Sequence, residues 1–103
     1  MPPTDKPDPA GAAPKPRRHD LKVWFPYFEA IHSGRKTFEL RRNDRDFQCG
    51  DELFLREWDQ TAKCYSKSVV LAKVTHVLTD CPEWGLQPGF AILSFTIISK
   101  SKE

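Results

Sequence analysis

Three charged residues in one short segment, Lys36, Glu39 and Arg41, have the side chains and spacing needed to bind an anionic or nucleotide-like ligand. In a strand, residues two apart share a face, so Glu39 and Arg41 are predicted to lie side by side. The guanidinium of Arg41 offers a planar fork of donors to a phosphate or a base edge, and Lys36 offers a point charge. Glu39 could orient these cations or accept a hydrogen bond from the amino group of a base.

The segment that holds these residues, 34–45, is locally basic although residues 19–103 as a whole are balanced. Residues 35–45 contain five basic and two acidic side chains, a net charge of +3, whereas residues 19–103 contain 12 of each. Any binding of a polyanion is therefore predicted to depend on this patch. The candidate nucleic-acid-binding residues are Lys36, Glu39, Arg41, Arg42, Arg45 and Trp58. From spacing alone, a solvated strand face with exposed ion pairs that contribute little to stability is the more common explanation.

Length and composition favour one small soluble domain. The chain has 103 residues, 39% hydrophobic and 29% charged. It contains no run of about 18 apolar residues and no leader-like apolar stretch at its start, so we expect no membrane span and a cytoplasmic location. The three cysteines, Cys49, Cys64 and Cys81, are widely spaced and are expected to be reduced thiols.

Residues 1–18 differ in composition from the rest of the chain. They contain six of the nine prolines and carry a net charge of +2. Such a segment lacks the apolar residues that offset the entropy of ordering, so it is predicted to be a disordered, proline-rich basic arm. A solubilising tail is favoured over a nucleic-acid-binding arm.

The remaining residues, 19–103, are predicted to form a mainly β (α+β) domain. Strands are predicted over 19–25, 36–42, 52–58, 65–78 and 90–98, with a helix over about 26–33 that begins at Pro26 and ends before Gly34. A helix of two turns must pack against a sheet to be stable. This pattern indicates a small five- to six-stranded β-barrel with one or two short helices.

Alternation within the strands predicts the core. On the second strand we expect Phe38 and Leu40 to face inward, with Glu39 and Arg41 on the opposite face. His76 shares the face of Val70 and Val74 in the long fourth strand and is expected to be a packed histidine. The full predicted core is Phe38, Leu40, Leu53, Leu55, Val70, Val74, Leu93 and Phe95.

The three tryptophans, Trp24, Trp58 and Trp84, lie near strand ends or in a loop, where they could stack on a base. In a domain of this size a tryptophan more often packs in the core, and we expect that for each of them. Trp58, between two acidic residues, is the preferred stacking candidate.

An ordered set of motifs carries a family resemblance. Gly34-x-Lys36-x-x-Glu39-x-Arg41 resembles the motif of the ASCH domains, a branch of the PUA-like β-barrels. The flanking segments are similar to those of one small, uncharacterised ASCH-like family of bacterial and phage proteins, across about residues 19–98. These segments are Leu21-Lys22-Val23, Pro26-Tyr27-Phe28, Asn43-Asp44-Arg45-Asp46-Phe47, Gly50-Asp51 and Arg56-Glu57-Trp58-Asp59.

The resemblance implies a pseudo-barrel with a cleft that binds RNA or nucleotides beside the motif strand. Some related ASCH proteins are amidohydrolases that use a Lys, a Thr and a Glu on acetylated cytidine. Here Lys36 occupies the lysine position, but Glu39 stands at the threonine position and Thr37 lies two residues earlier. A carboxylate replaces a hydroxyl nucleophile poorly, which argues against that reaction.

We therefore expect a non-enzymatic, monomeric module that binds RNA, single-stranded nucleic acid or a nucleotide. The main alternative is a small hydrolase of the amidohydrolase or ribonuclease type, with Lys36 and Glu39 as acid–base residues acting on a modified nucleoside or RNA. A protein-interaction adaptor is a third class. No cofactor is expected, and the histidines and cysteines lack the spacing of metal ligands.

Overall fold

The computed structural model describes residues 16–101, so the arm predicted over residues 1–18 lies outside it apart from residues 16–18. These residues form five strands, one α-helix and one short 3-10 turn. In chain order they are β1 (Arg18–Trp24), α1 (Phe25–His32), β2 (Phe38–Arg42), β3 (Glu52–Asp59), β4 (Cys64–Leu78), the 3-10 turn Pro82–Trp84 and β5 (Phe90–Ser101).

The five strands form one sheet in the order β1-β3-β4-β5-β2, curled into a half-barrel. β1 pairs with β3 in parallel, and the other neighbours are antiparallel. The prediction of a mainly β domain with a short helix is confirmed. β1 and β2 are the two edges of this sheet, so they border the open side of the half-barrel. Within residues 16–101, no helix is long and apolar enough to cross a membrane.

Helix α1 follows β1 directly and covers the inner face of the sheet. Pro26 lies in its first turn, where a missing N–H is tolerated. Phe28 and Ile31 are buried, which attaches the helix to the core. After the helix ends, Gly34 adopts a φ of 86°, a conformation that glycine accepts at low steric cost, and the chain turns toward β2.

Most of the predicted core is confirmed. The inward-facing residues of β3, β4 and β5 are buried, as are two residues of β1 and the loop residue Phe47. The predicted core residues that are buried are Leu53, Leu55, Val70, Val74, Leu93 and Phe95.

The prediction for β2 was wrong in its direction. Phe38 and Leu40 are 44% and 54% exposed, whereas Glu39 is only 6% exposed and faces inward. The alternation is present, but the charged face points inward. This is possible because β2 is an edge strand, and its inner face borders the open side of the half-barrel. There, two cations compensate the carboxylate, so its burial does not leave an unpaired charge.

Two smaller predictions were also wrong. His76 is exposed because a bulge between Val74 and His76 shifts the alternation by one residue, which buries Val77 instead. None of the three tryptophans is part of the core: Trp24 and Trp84 are exposed, and Trp58 is only partly buried.

Candidate functional site

The buried carboxylate of Glu39 lies between two cations. Its Oε1 is 3.2 Å from the Nζ of Lys36, and its Oε2 accepts a hydrogen bond of 2.8 Å from the Nε of Arg41. The side chains of Lys36 and Arg41 are themselves largely buried. The sequence-predicted group Lys36, Glu39 and Arg41 is therefore brought together, with Glu39 at its centre.

The backbone around Lys36 is held firmly. Its N–H donates to the carbonyl of Ala30 at the end of α1, at 2.9 Å, and the carbonyl of Thr37 accepts from the N–H of Phe95 at 3.1 Å. The ammonium of Lys36 also donates to the carbonyl of Phe38, at 2.8 Å. Because both the backbone and the ammonium are fixed, the charge of Lys36 occupies a defined position.

Arg41 and Arg45 bridge the open side of the half-barrel. Arg41 donates from Nη2 to the carbonyl of Lys22, and Arg45 donates from Nη1 to the carbonyl of Asp20 at 3.0 Å. Both acceptors belong to the edge strand β1. We call the gap between β1 and β2, crossed by these two side chains, the seam. Arg41 and Arg45 thus have hydrogen-bond partners within the protein. These partners are backbone carbonyls on the edge of β1 that does not pair with another strand.

A pocket of about 400 Å³ opens beside Lys36. We call it the Lys36 pocket. The ammonium of Lys36 lies 4.6 Å from the ring centre of Phe38 and 5.9 Å from that of Tyr27. Both rings are substantially exposed. The pocket is lined by Tyr27, Lys36, Phe38, Glu39 and Leu40.

A second pocket of about 330 Å³ lies on the other side of Leu40. We call it the Trp84 pocket. Its lining contains no charged side chain, and Trp84, on the 3-10 turn, is 62% exposed. Leu40 belongs to the lining of both pockets. The residues around the Trp84 pocket are Leu40, Leu78, Cys81, Trp84, Gly85, Leu86 and Ile92.

Arg42 differs from its neighbouring arginines because it lies on the outer face of β2, with Phe38 and Leu40. It is exposed, and its guanidinium lies 4.9 Å from the ring centre of Phe90, its cross-strand neighbour. The basic patch of the sequence is therefore divided. Arg41 and Arg45 donate hydrogen bonds across the seam, while Arg42 faces solvent.

Trp58 lies on another outer surface, formed by β1, β3 and β4. The ammonium of Lys22 lies 3.9 Å from its ring centre, and the ring of Tyr65 meets it edge-on at 4.9 Å. Arg56 lies 3.8 Å from the ring centre of Tyr65. We call these four residues the cation–aromatic row. Lys22 and Tyr65 therefore both contact the Trp58 ring, which is only partly exposed.

Sequence reasoning missed Tyr27 and assigned Trp84 to the core. Tyr27 was not named as a candidate residue, although its hydroxyl marks it as a side chain that tolerates solvent. For Trp84 the signal was the surrounding turn residues, Pro82 and Gly85, since a short polar turn buries little. Among residues 16–101, no group of three or more His, Cys, Asp or Glu is arranged to hold a metal ion.

The fold and the site together define a small, mainly β half-barrel domain with a cation-flanked carboxylate on an edge strand. A family model described as "Domain of unknown function (DUF3850)" matches residues 18–95, and the chain belongs to this family. The match includes the whole of β1 to β4, the seam and both pockets.

One relative comes from a bacteriophage. The "Uncharacterized 12.9 kDa protein in GpA 3'region" of Escherichia phage P2 is 36% identical over 66 residues, which is 64% of this chain. The aligned region spans 58% of that relative's length.

Proposed function

We propose that this domain binds single-stranded nucleic acid, RNA in the first instance, by taking one base or nucleotide into the Lys36 pocket. The observation that carries the proposal is the fixed ammonium of Lys36 beside the two exposed rings of Tyr27 and Phe38. Aromatic side chains that stack a base, next to a cation that contacts phosphate or a base acceptor, are the recurrent elements of single-strand recognition. The volume of about 400 Å³ is within the usual range of small-ligand pockets.

In this proposal Glu39 is a positioning residue. Each of its oxygens already accepts from a cation, and the residue is buried. Its role is to hold the ammonium of Lys36 in place with one oxygen and the guanidinium of Arg41, which crosses the seam, with the other. A charge held in position loses less conformational entropy on binding than a freely rotating lysine.

The ASCH-like resemblance supports the same surface. It implies a PUA-like half-barrel that binds RNA or nucleotides beside its motif strand, and the Lys36 pocket lies on β2, the motif strand. We propose on this basis that the family is a branch of the PUA-like superfamily. Fold analogy alone does not define a ligand, whereas the residues of the Lys36 pocket do favour one.

One contact favours a second candidate function, a hydrolase acting on a modified nucleoside or RNA. Lys36 and Glu39 are 3.2 Å apart, close enough to share a proton during acid–base catalysis. Against this, both carboxylate oxygens of Glu39 already accept hydrogen bonds from Lys36 and Arg41, an arrangement that suits a positioning residue. Binding without turnover is therefore the preferred function.

The test is a binding screen with product analysis on the same samples. Single-stranded RNA, single-stranded DNA, duplex and mononucleotides are titrated into the full chain by fluorescence anisotropy or calorimetry, at low and moderate salt. We expect the parent to prefer single strands and Lys36→Met to weaken this binding about tenfold, equal to about 1.4 kcal/mol. Lys73→Met, which removes an exposed lysine from β4, is the matched control and should bind as the parent does. Equal binding by both variants would contradict the pocket, and substrate conversion would favour the hydrolase.

A further inference from the structure

We infer that the domain binds a dinucleotide unit, with the first base in the Lys36 pocket and the second in the Trp84 pocket. The second pocket accepts any base. This inference rests on the proposed function and extends it to the length and orientation of the bound strand. Leu40 belongs to the lining of both pockets, so the pockets are adjacent. A strand whose first base fills one pocket can therefore place its next base in the other.

The chemistry of the second pocket determines how it treats a base. Its lining is apolar with no charged side chain, and Trp84 presents an exposed indole ring. Every base has a face that can stack on an aromatic ring, so such a pocket accepts any base with similar affinity. The first pocket contains the only charged lining residues of the two, so base preference is expected there alone.

The charges around the two pockets favour one orientation of the strand. Lys36 precedes β2 and lines the first pocket, and Arg42 ends β2, whereas Asp80 precedes the 3-10 turn that holds Trp84 and Glu83 lies within it. A sugar–phosphate backbone is attracted to the first pair and repelled by the second. The phosphates therefore lie on the β2 side, and the second base points away from them toward Trp84.

The experiment compares the affinities of a mononucleotide, a dinucleotide and a trinucleotide, in RNA and DNA forms, for the parent and three variants. In the parent we expect the dinucleotide to bind about tenfold more tightly than the mononucleotide, with little further gain for the trinucleotide. Trp84→Ala should remove this gain while leaving mononucleotide affinity unchanged. Trp84→Phe should retain most of it, because a stacking ring remains.

The control is Ile98→Ala, which removes an exposed apolar side chain on the same sheet, six residues beyond Ile92 on β5. It should keep the full dinucleotide gain. Three results would overturn the inference: equal affinities of mononucleotide and dinucleotide in the parent, an undiminished gain in Trp84→Ala, or a loss in Trp84→Ala that is the same for both ligands. The proposed function would survive each of these results, since the mononucleotide still binds. Failure of every nucleotide to bind would overturn both.

Discussion

Arg41 joins the two edge strands of the sheet, because its guanidinium donates from Nη2 to the carbonyl of Lys22 while its Nε donates to Glu39. One side chain thus connects the buried carboxylate of β2 to the backbone of β1. Arg45, in the loop after β2, donates to the carbonyl of Asp20, two residues earlier on β1. β1 and β2 do not pair with each other, so arginine side chains, and not a strand pairing, span the open side of the half-barrel.

Replacing Arg41 should destabilise the fold. In Arg41→Ala, Glu39 keeps only Lys36 as a cationic partner, and the carbonyl of Lys22 loses its donor. The free energy of unfolding should fall by about 1–3 kcal/mol, as is typical when buried polar groups lose a partner. Urea unfolding followed by circular dichroism measures this. A change below about 0.5 kcal/mol would show that the seam does not depend on Arg41.

Replacing Arg42 should weaken binding and leave stability nearly unchanged. Its side chain is exposed on the outer face, so Arg42→Ala should change the free energy of unfolding by less than about 0.5 kcal/mol. Binding of single-stranded RNA should weaken, and the slope of log affinity against log salt should fall by about 0.7, the value for one phosphate contact on a single strand. Affinity measured at several salt concentrations tests this, with Lys73→Ala as control. An unchanged slope would mean that Arg42 contacts no phosphate.

The outward direction of β2 predicts small stability effects for its apolar residues. Phe38→Ala and Leu40→Ala should each cost less than about 1 kcal/mol, although they remove large side chains. Leu53→Ala, in the buried face of β3, should cost about 2–5 kcal/mol. Thermal and urea unfolding of the three variants make the comparison. Equal losses for Leu40→Ala and Leu53→Ala would show that Leu40 is buried in solution.

Glu39→Gln separates binding from catalysis. The amide keeps the shape of the carboxylate but loses its charge, so Lys36 and Arg41 are held less firmly and affinity for RNA should fall by less than about tenfold. Neither parent nor variant should convert any ligand. If the parent does turn over a nucleoside or RNA and Glu39→Gln abolishes this while still binding, Glu39 acts as an acid–base residue.

Much of the fold could be predicted from sequence because local signals agreed with each other. Proline at the start of α1, glycine after its end and alternation in β3 each set the position of an element to within a residue or two. The buried positions of Leu53 and Leu55 follow directly from that alternation. These features depend on neighbouring residues only.

The site was less predictable because it depends on long-range partners. Alternation in β2 indicates two faces but does not say which is inward. The two cations are visible in the sequence, but the position of β2 at the edge of the sheet depends on its pairing with β5 and is not. The partners of Arg41 and Arg45 are backbone carbonyls 19 and 25 residues away. A backbone acceptor cannot be recognised from residue type, so the sequence did not separate the candidate arginines Arg41 and Arg45 from Arg42.

The most direct test of the central claim, that nucleic acid enters the Lys36 pocket, is a two-dimensional amide NMR titration of the full chain. Single-stranded RNA hexanucleotides are added to the labelled protein at low salt. The account predicts that shift changes concentrate at Tyr27, Lys36, Phe38 and Leu40 and are absent at Lys73 on β4. Absence of any shift change, or changes confined to Lys22, Trp58 and Tyr65 of the cation–aromatic row, would contradict it.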